Sequence, residues 1–328
     1  MSNTAKIEQL NIKISELDFS DLYLEPNGTV WSKRSPDDRE RLIFNGSALV
    51  EAQELRLKLQ EHKTGMDFTS VWDGIRLRIQ RVETVDGDVF VCRKLLQNVP
   101  SIHKIGYTQK LIDALLSERL NKGGVVLFTG GTGTGKSTSL GAWLSARLNL
   151  YGGAAWTIEN PIEMLINNAN SAGICYQTEV RNEHEIGVAI QKILRTAPNI
   201  IMVGEVRTNE AAKEIFLGGT SGHLLGTTFH ANDIISCLDR MKSLLSSSKV
   251  DIGFMAESLA AIIHQTFVTR IIDGKYRKVL SVSPLIISGS KNVTSIRSHL
   301  RSGEYSQLVS EIERQKVVMN STDPGVSF

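Results

Sequence analysis

Five mostly apolar residues, Val125-Val126-Leu127-Phe128-Thr129, break straight into Gly130-Gly131-Thr132-Gly133-Thr134-Gly135-Lys136-Ser137. Crowded glycines at the end of a strand let successive backbone N–H groups converge on one anion, because no side chain stands in the way. Lys136 can then reach the β- and γ-phosphates of a nucleotide, and the Ser137 hydroxyl can ligate Mg²⁺. This run therefore demands a strand before it and a helix after it.

Both flanks are present. Leu140, Trp143, Leu144 and Leu148 recur at helical spacing behind the loop. The N-terminus of that helix points its partial positive charge at the phosphates. The pattern predicts a P-loop nucleotide cradle that takes in Gly130, Gly131, Thr132, Gly133, Thr134, Gly135, Lys136, Ser137 and Thr138.

A chain of 328 residues with 41% hydrophobic content has material for two ordinary cores. Thirty-seven Lys+Arg against 35 Asp+Glu leave a formal charge of +2, so no global field draws it onto nucleic acid or an anionic membrane. Cys92, Cys175 and Cys237 lie far apart in sequence and form no C-x-x-C pair, which argues against a zinc site or a disulfide framework. No apolar stretch approaches the roughly 20 residues of a membrane helix, and the N-terminal segment is polar rather than a signal sequence. These features predict a cytoplasmic protein without a transmembrane segment.

Residues from about Ile7 to Leu95 read as a smaller α+β module: a strand at Leu22–Leu24, a helix over Ala48–Glu61, and strands around Ile75–Val82 and Val89–Leu95. The expected division is 1–97 for this domain, 98–106 for a linker around Pro100, 107–320 for the larger domain, and 321–328 for a disordered tail. A helix is expected over Gln109–Leu120. From Gly123 onward apolar strands, clearest at Val125–Thr129, Ala154–Ile158, Ile200–Val203 and Leu224–Phe229, alternate with amphipathic helices. That alternation predicts an α/β domain with a largely parallel sheet and its ligand-handling residues at the C-terminal strand ends.

Three further elements end strands there. Ala154–Ile158 runs into Glu159-Asn160-Pro161-Ile162-Glu163, where Pro161 cannot donate to a ladder and stops the strand. One of Glu159 and Glu163 could hold or polarise an attacking water while the other touches the metal shell, although acidic residues after a strand also cap helices. Ile200-Ile201-Met202-Val203 ends at Gly204-Glu205, and a carboxylate closing a buried strand can hold Mg²⁺ directly or through water. Gly222 to His230 closes another strand with an imidazole that could hydrogen-bond the γ-phosphate or the catalytic carboxylate; His223 reads as structural.

In order and spacing these elements resemble the type II/type IV secretion ATPase family, which includes pilus retraction motors. Gly130 to Ser137 resembles its Walker A loop, Thr157 to Glu163 its "Asp box", Val203-Gly204-Glu205-Val206-Arg207 its atypical Walker B, and Gly222 to His230 its "His box". Ser20-Asp21-Leu22-Tyr23-Leu24-Glu25-Pro26 is similar to its N-terminal segment.

The resemblance implies a PAS-like N-terminal domain, a RecA-like P-loop ATPase domain, and a homohexamer with ATP and Mg²⁺ between neighbouring subunits. It implies Glu163 as the carboxylate that activates water, Glu205 as the organiser of Mg²⁺ and His230 as the γ-phosphate sensor. Arg76, Arg78 and Arg93 lie in the matching arginine segments, and an arginine acting across the interface is worth ~10³–10⁵ in rate. The solvated strand face is their alternative. The expected partners are inner-membrane components of a secretion, conjugation or pilus complex, with peripheral membrane association through protein contacts and no direct nucleic-acid binding.

Departures from the family pattern mark a divergent branch: Asn160 replaces the usual Asp, Leu194 to Asn199 differs from the usual segment before Walker B, and Ala231 stands where Thr often follows the His. The lack of a four-cysteine module favours a compact retraction-type or conjugation-type motor. Two other readings keep the P-loop, a RecA-like nucleic-acid motor and a non-catalytic nucleotide-gated scaffold. Near-neutral charge argues against the former, and Asn160 makes the latter conceivable.

Overall fold

A computed structural model describes residues 6–9, 13–34, 38–61, 65–95, 98–166, 171–272, 275–323 and 326–328. The chain divides into two compact units: residues 1–97 with 161–165, and residues 98–160 with 166–328.

The first unit is α+β. Strands β1 (Lys6–Gln9), β2 (Asp21–Leu24), β3 (Val30–Lys33), β4 (Leu42–Asn45), β5 (Asp67–Trp72), β6 (Ile75–Thr84) and β7 (Gly87–Lys94) form one sheet in the order β1-β4-β3-β2-β7-β6-β5. Helix α1 (Gly46–Gln60) buries Ala48, Ala52, Leu55 and Leu59, spaced to share one helix face. That stripe packs with Leu22, Leu24, Leu77, Ile79 and Phe90, the alternate inward residues of the central strands.

The opposite face of the sheet carries the intervening residues. Arg78 pairs in register with Arg93, and Arg93 with Asp21; Arg76 stands two residues before Arg78 on the same face. The three candidate arginines are thus brought together.

The second unit holds β8 (Gly124–Gly130), β9 (Gly153–Glu159), β10 (Gly173–Glu179), β11 (Ile200–Glu205), β12 (Leu224–His230), β13 (Leu259–Ile272) and β14 (Lys275–Ile286) in the order β10-β9-β11-β12-β8-β13-β14. All neighbours are parallel except β13 and β14, which form an antiparallel pair. Every residue of β8 is buried. Val125 and Leu127 enter one core with α4 (Glu185–Leu194), α5 (Asn209–Thr220) and α6 (Ile234–Ser247), while Val126 and Phe128 enter another with α2 (Gln109–Leu115) and α3 (Lys136–Tyr151). A strand covered on both faces has to be apolar throughout, which explains the unbroken run read in the sequence. Helices α7 (Ile252–Ser258), α8 (Val293–Ser302) and α9 (Val309–Asn320) complete the unit.

The helix expected over Gln109–Leu120 stops at Leu115 and gives way to a 3-10 turn at Glu118–Lys122. Side chains from α3 claim the carbonyls at the break: Trp143 Nε1 and Arg147 Nη1 donate to Leu115 O at 3.0 and 3.2 Å, and Tyr151 OH donates to Leu116 O at 2.5 Å. Burial pushes Arg147 down to about 10.

Residues 98–106, expected as a linker, lie in the second unit, where Ile102 is buried in the α2–α3 core. The expected disordered tail differs as well. Phe328 is only 9% exposed in that core, its carbonyl accepts from Lys291 N–H at 3.2 Å, and Lys110 Nζ donates to Val326 O at 2.8 Å. An apolar ring and available carbonyls outweigh what polar composition suggested. Among the described residues no helix is long and apolar enough to cross a membrane. The three cysteines are free and buried, and burial pushes Cys175 and Cys237 up to about 12.

Candidate nucleotide site

Strand order places the candidate residues of the second unit along one C-terminal edge. Glu159 ends β9, Glu205 ends the adjacent β11, His230 ends β12, and Gly130 at the end of β8 pairs in register with His230. Residues 130–138 then lead into α3, with Gly135 in the left-handed region as its N-cap.

The loop conformation requires its glycines. Gly130, Gly133 and Gly135 have φ of 151°, 74° and 84°, values that L side chains rarely adopt. A Cβ on Gly130 would lie 2.2 Å from the Gln265 carbonyl oxygen, whereas a Cβ on Gly133 would meet nothing within 4 Å. One glycine is needed for close packing; the other leaves open space for an anion. Lys136 Nζ donates to Gly131 O at 2.7 Å, and Thr134 Oγ1 donates to the same carbonyl at 2.9 Å, so the ammonium is held over the loop. A cation, a helix N-terminus and glycine backbone fit a polyphosphate.

Glu205 stands one residue past Gly204 because the strand bulges there. Val203 pairs with Thr227 and Glu205 with Thr228, so Gly204 is the extra residue. Thr228 Oγ1 donates to Gly204 O at 2.6 Å and Val206 N–H to Thr228 O at 3.1 Å, which fixes the bulge. A bulge re-aims the side chain that follows it. The Glu205 carboxylate accepts from Arg207 Nε at 2.8 Å, and Arg207 also pairs with Glu183. The Glu205 hydrogen bond, ahead of the charges around it, raises the Arg207 guanidinium above its ordinary value.

Glu159 is 4% exposed and accepts from Thr157 Oγ1 at 2.7 Å and Gln177 Nε2 at 3.4 Å. Gly204 packs beside it, since a Cβ there would lie 3.5 Å from Glu159 Cγ. His230 is half-buried, and its carbonyl accepts from Arg240. His223 stands at the other end of β12, with a buried Nδ1 that has no partner among the described residues.

Glu163 is exposed and belongs to the segment 161–165, which groups with the first unit. Within the second unit the sheet edge gathers Glu159, Glu205 and His230. Asn160 is exposed. In the first unit Arg78 forms a two-bonded ion pair with Asp67, at 3.2 and 2.6 Å, and Arg93 Nε donates to Asp21 Oδ1 at 2.7 Å.

Among the described residues no group of three or more His, Cys, Asp and Glu could hold a metal by itself. A hydroxyl and one or two carboxylates suffice for Mg²⁺ when phosphate oxygens and water complete its shell. Ser137, Glu205 and Glu159 are the donors of that kind at this edge.

Sequence reasoning missed Gln265 and Tyr107. Gln265 on β13 pairs in register with Gly130, and its side chain bridges the loop to the buried Tyr107. The available signal was His264-Gln265, a polar pair inside the run Leu259–Ile272.

Residues 60–323 match the family described as type II/IV secretion system protein. The type IV pilus ATPase PilU of Pseudomonas aeruginosa is 33% identical over 239 residues, 72% of this chain and 58% of its own length. The chain therefore spans less than two thirds of that relative. Among solved structures, the pilus retraction motor PilT with bound ADP aligns with a TM-score of 0.72 at 24% identity, covering 96% of this chain and 98% of that one. The Legionella pneumophila ATPase DotB aligns with a TM-score of 0.70 at 20% identity, covering 90% and 85%. At these identities the likeness speaks to the fold, and it agrees with the expected α/β, RecA-like architecture.

Proposed function

The chain belongs to the type II/IV secretion system protein family, and from that premise we propose that it hydrolyses ATP with Mg²⁺ to drive a type IV secretion, conjugation or type IV pilus machine. The observation that carries this reading is the single edge shared by the glycine loop, His230, Glu205 and Glu159. The relative named as a type IV pilus ATPase and the retraction-motor structure with bound ADP support it.

In this reading Gly130 to Thr138 cradle the phosphates and Lys136 leaves Gly131 O for the β- and γ-oxygens. Ser137 and Glu205, with Glu159 behind them, would hold Mg²⁺, which would withdraw charge from the phosphate oxygens. Glu163 accepts the proton of the attacking water, and His230 bonds the γ-phosphate and reports its loss. Arg76, Arg78 and Arg93 come from the neighbouring subunit of a homohexamer. Differential contacts to ATP and ADP then move one unit against the other, and only such a difference can shift that equilibrium. Inner-membrane components of the machine receive the motion and hold the cytoplasmic ring at the membrane.

ATP turnover by the purified chain tests this beside Glu163→Gln. The expected result is turnover by the wild type, and nucleotide binding without turnover by the variant. Binding with no Glu163-dependent turnover would leave a nucleotide-gated scaffold, and hydrolysis that requires DNA would leave a nucleic-acid motor. Light scattering with and without ATP tests the ring; a strict monomer with nucleotide would remove the basis for arginines acting between subunits.

A further inference from the structure

Gln265 touches the phosphate loop at both ends. Its backbone oxygen stands against Gly130, where even a methyl group would clash, and its side-chain Nε2 would lie 3.9 Å from a Cβ on Gly135. Nε2 donates to Thr134 O at 3.3 Å, and Oε1 accepts from Tyr107 OH at 3.1 Å. Gln265 is 1% exposed and Tyr107 is 8% exposed.

The chemistry fixes the direction of this chain of bonds. A backbone carbonyl can only accept, so the NH₂ end of the amide must face Thr134. The carbonyl end is left for the phenol, which must donate. Burial, opposed by a hydrogen bond with Ser139, pushes the Tyr107 phenol above its ordinary value, so it keeps the proton it donates. The Thr134 carbonyl opposes a flip of the amide, because a flipped amide would set two oxygens against each other there, and the bond donated by Tyr107 holds the unflipped amide in place.

A trans peptide sets its C=O and the following N–H in opposite directions. With Thr134 C=O drawn toward Gln265, the Gly135 N–H points away from Gln265. Resting on the nucleotide reading of this loop, we propose that Gln265, oriented by Tyr107, is a positioning residue that aims the Gly135 N–H at the nucleotide phosphates. The carbonyl at this peptide would otherwise be free to turn toward the phosphates and repel them. Gly135, with its left-handed φ, is a residue for which such a turn is easy.

The test is the affinity of the full chain for a fluorescent ADP analogue, with inorganic pyrophosphate as competitor, in wild type, Tyr107→Phe and Gln265→Glu. Loss of the bond to Gln265, together with the hydroxyl's contact with Ser139, predicts roughly three- to ten-fold weaker ADP binding for Tyr107→Phe. Gln265→Glu places a carboxylate against Thr134 O and is expected to weaken it further. Because the effect runs through a phosphate-facing N–H, pyrophosphate must lose affinity by the same factor as ADP. ADP affinity that is unchanged in both variants overturns the proposal, and so does a loss for ADP that spares pyrophosphate. If Gln265→Glu does not fold, Tyr107→Phe decides alone. A wild type that binds neither probe overturns the nucleotide reading itself, and the proposal with it.

Discussion

Arg78 and Arg93 stand directly opposite each other on β6 and β7, and each is held by its own carboxylate, Asp67 for Arg78 and Asp21 for Arg93. Like charges paired across strands repel, and these two acids offset the repulsion. The Asp21 side chain is 3% exposed and has Arg93 and the Ser20 hydroxyl as partners, so it depends on the arginine.

The three arginines therefore separate by experiment. Arg93→Ala leaves a buried carboxylate under-partnered and is expected to cost about 1 kcal/mol, since the guanidinium itself is half in solvent. Arg76 has no ion pair among the described residues, so Arg76→Ala should leave stability within about 0.5 kcal/mol. Its turnover should nevertheless fall by ~10³ or more. Urea unfolding and phosphate release, measured on both variants, check this; an Arg76 variant with full turnover would move the role to Arg78 or Arg93.

Arg207 holds the Glu205 carboxylate, and on the proposed reading it competes there with Mg²⁺. In Arg207→Ala the Mg²⁺ concentration for half-maximal binding of nucleotide should fall about two- to five-fold, the worth of an exposed ion pair. A titration of Mg²⁺ with nucleotide present checks it, and a rise would show that Arg207 positions Glu205 instead.

The loop helix depends on Gly226. A Cβ there would lie 2.3 Å from Trp143 Cζ3 and 2.9 Å from Leu140 Cδ1, where α3 crosses β12. Gly226→Ala is expected to destabilise the second unit by about 1–3 kcal/mol through overpacking. Urea midpoints check this, and no change would mean that α3 sits farther from the sheet.

His264 makes stability sensitive to acid. It is 9% exposed on β13, and burial, with Lys136 adding to it and Asp233 opposing it, holds its pKa below the ordinary 6.5. A lowered imidazole means that the unfolded chain takes up the proton first. Stability is therefore full above pH 6.5 and falls as pH drops through that value toward the folded one, with a slope of at most ~1.4 kcal/mol per pH unit. His264→Gln should remove that share of the slope in unfolding measured between about pH 7.5 and 5.5. An identical slope in the variant would exclude His264 as its source.

The sequence was most legible where one local cause decided the outcome. β8 had to be apolar because both its faces are covered, and its loop needs glycine at 130, 133 and 135 because φ is positive there. β11 and β12 were legible for the same reason. β10 was not, since Gly173 and Cys175 are its only fully buried residues and the others are half-buried or exposed. The long β13 was hidden because α7 runs into it at Ser258–Leu259 with neither glycine nor proline between them. Pairing also decided what a single strand could not reveal. The Glu205 bulge exists only against Thr227 and Thr228, and the place of Gln265 beside Gly130 comes from a partner strand more than a hundred residues earlier.

The central claim is that residues 130–138 hold the phosphates of a nucleotide that the chain hydrolyses. The direct measurement is phosphate release from ATP by the purified chain with Mg²⁺, wild type against Lys136→Ala. Loss of the lysine should lower the rate by at least ~10²-fold, the scale for removing a group that stabilises developing charge, with the fold intact by circular dichroism. A rate that the substitution leaves unchanged would contradict the account.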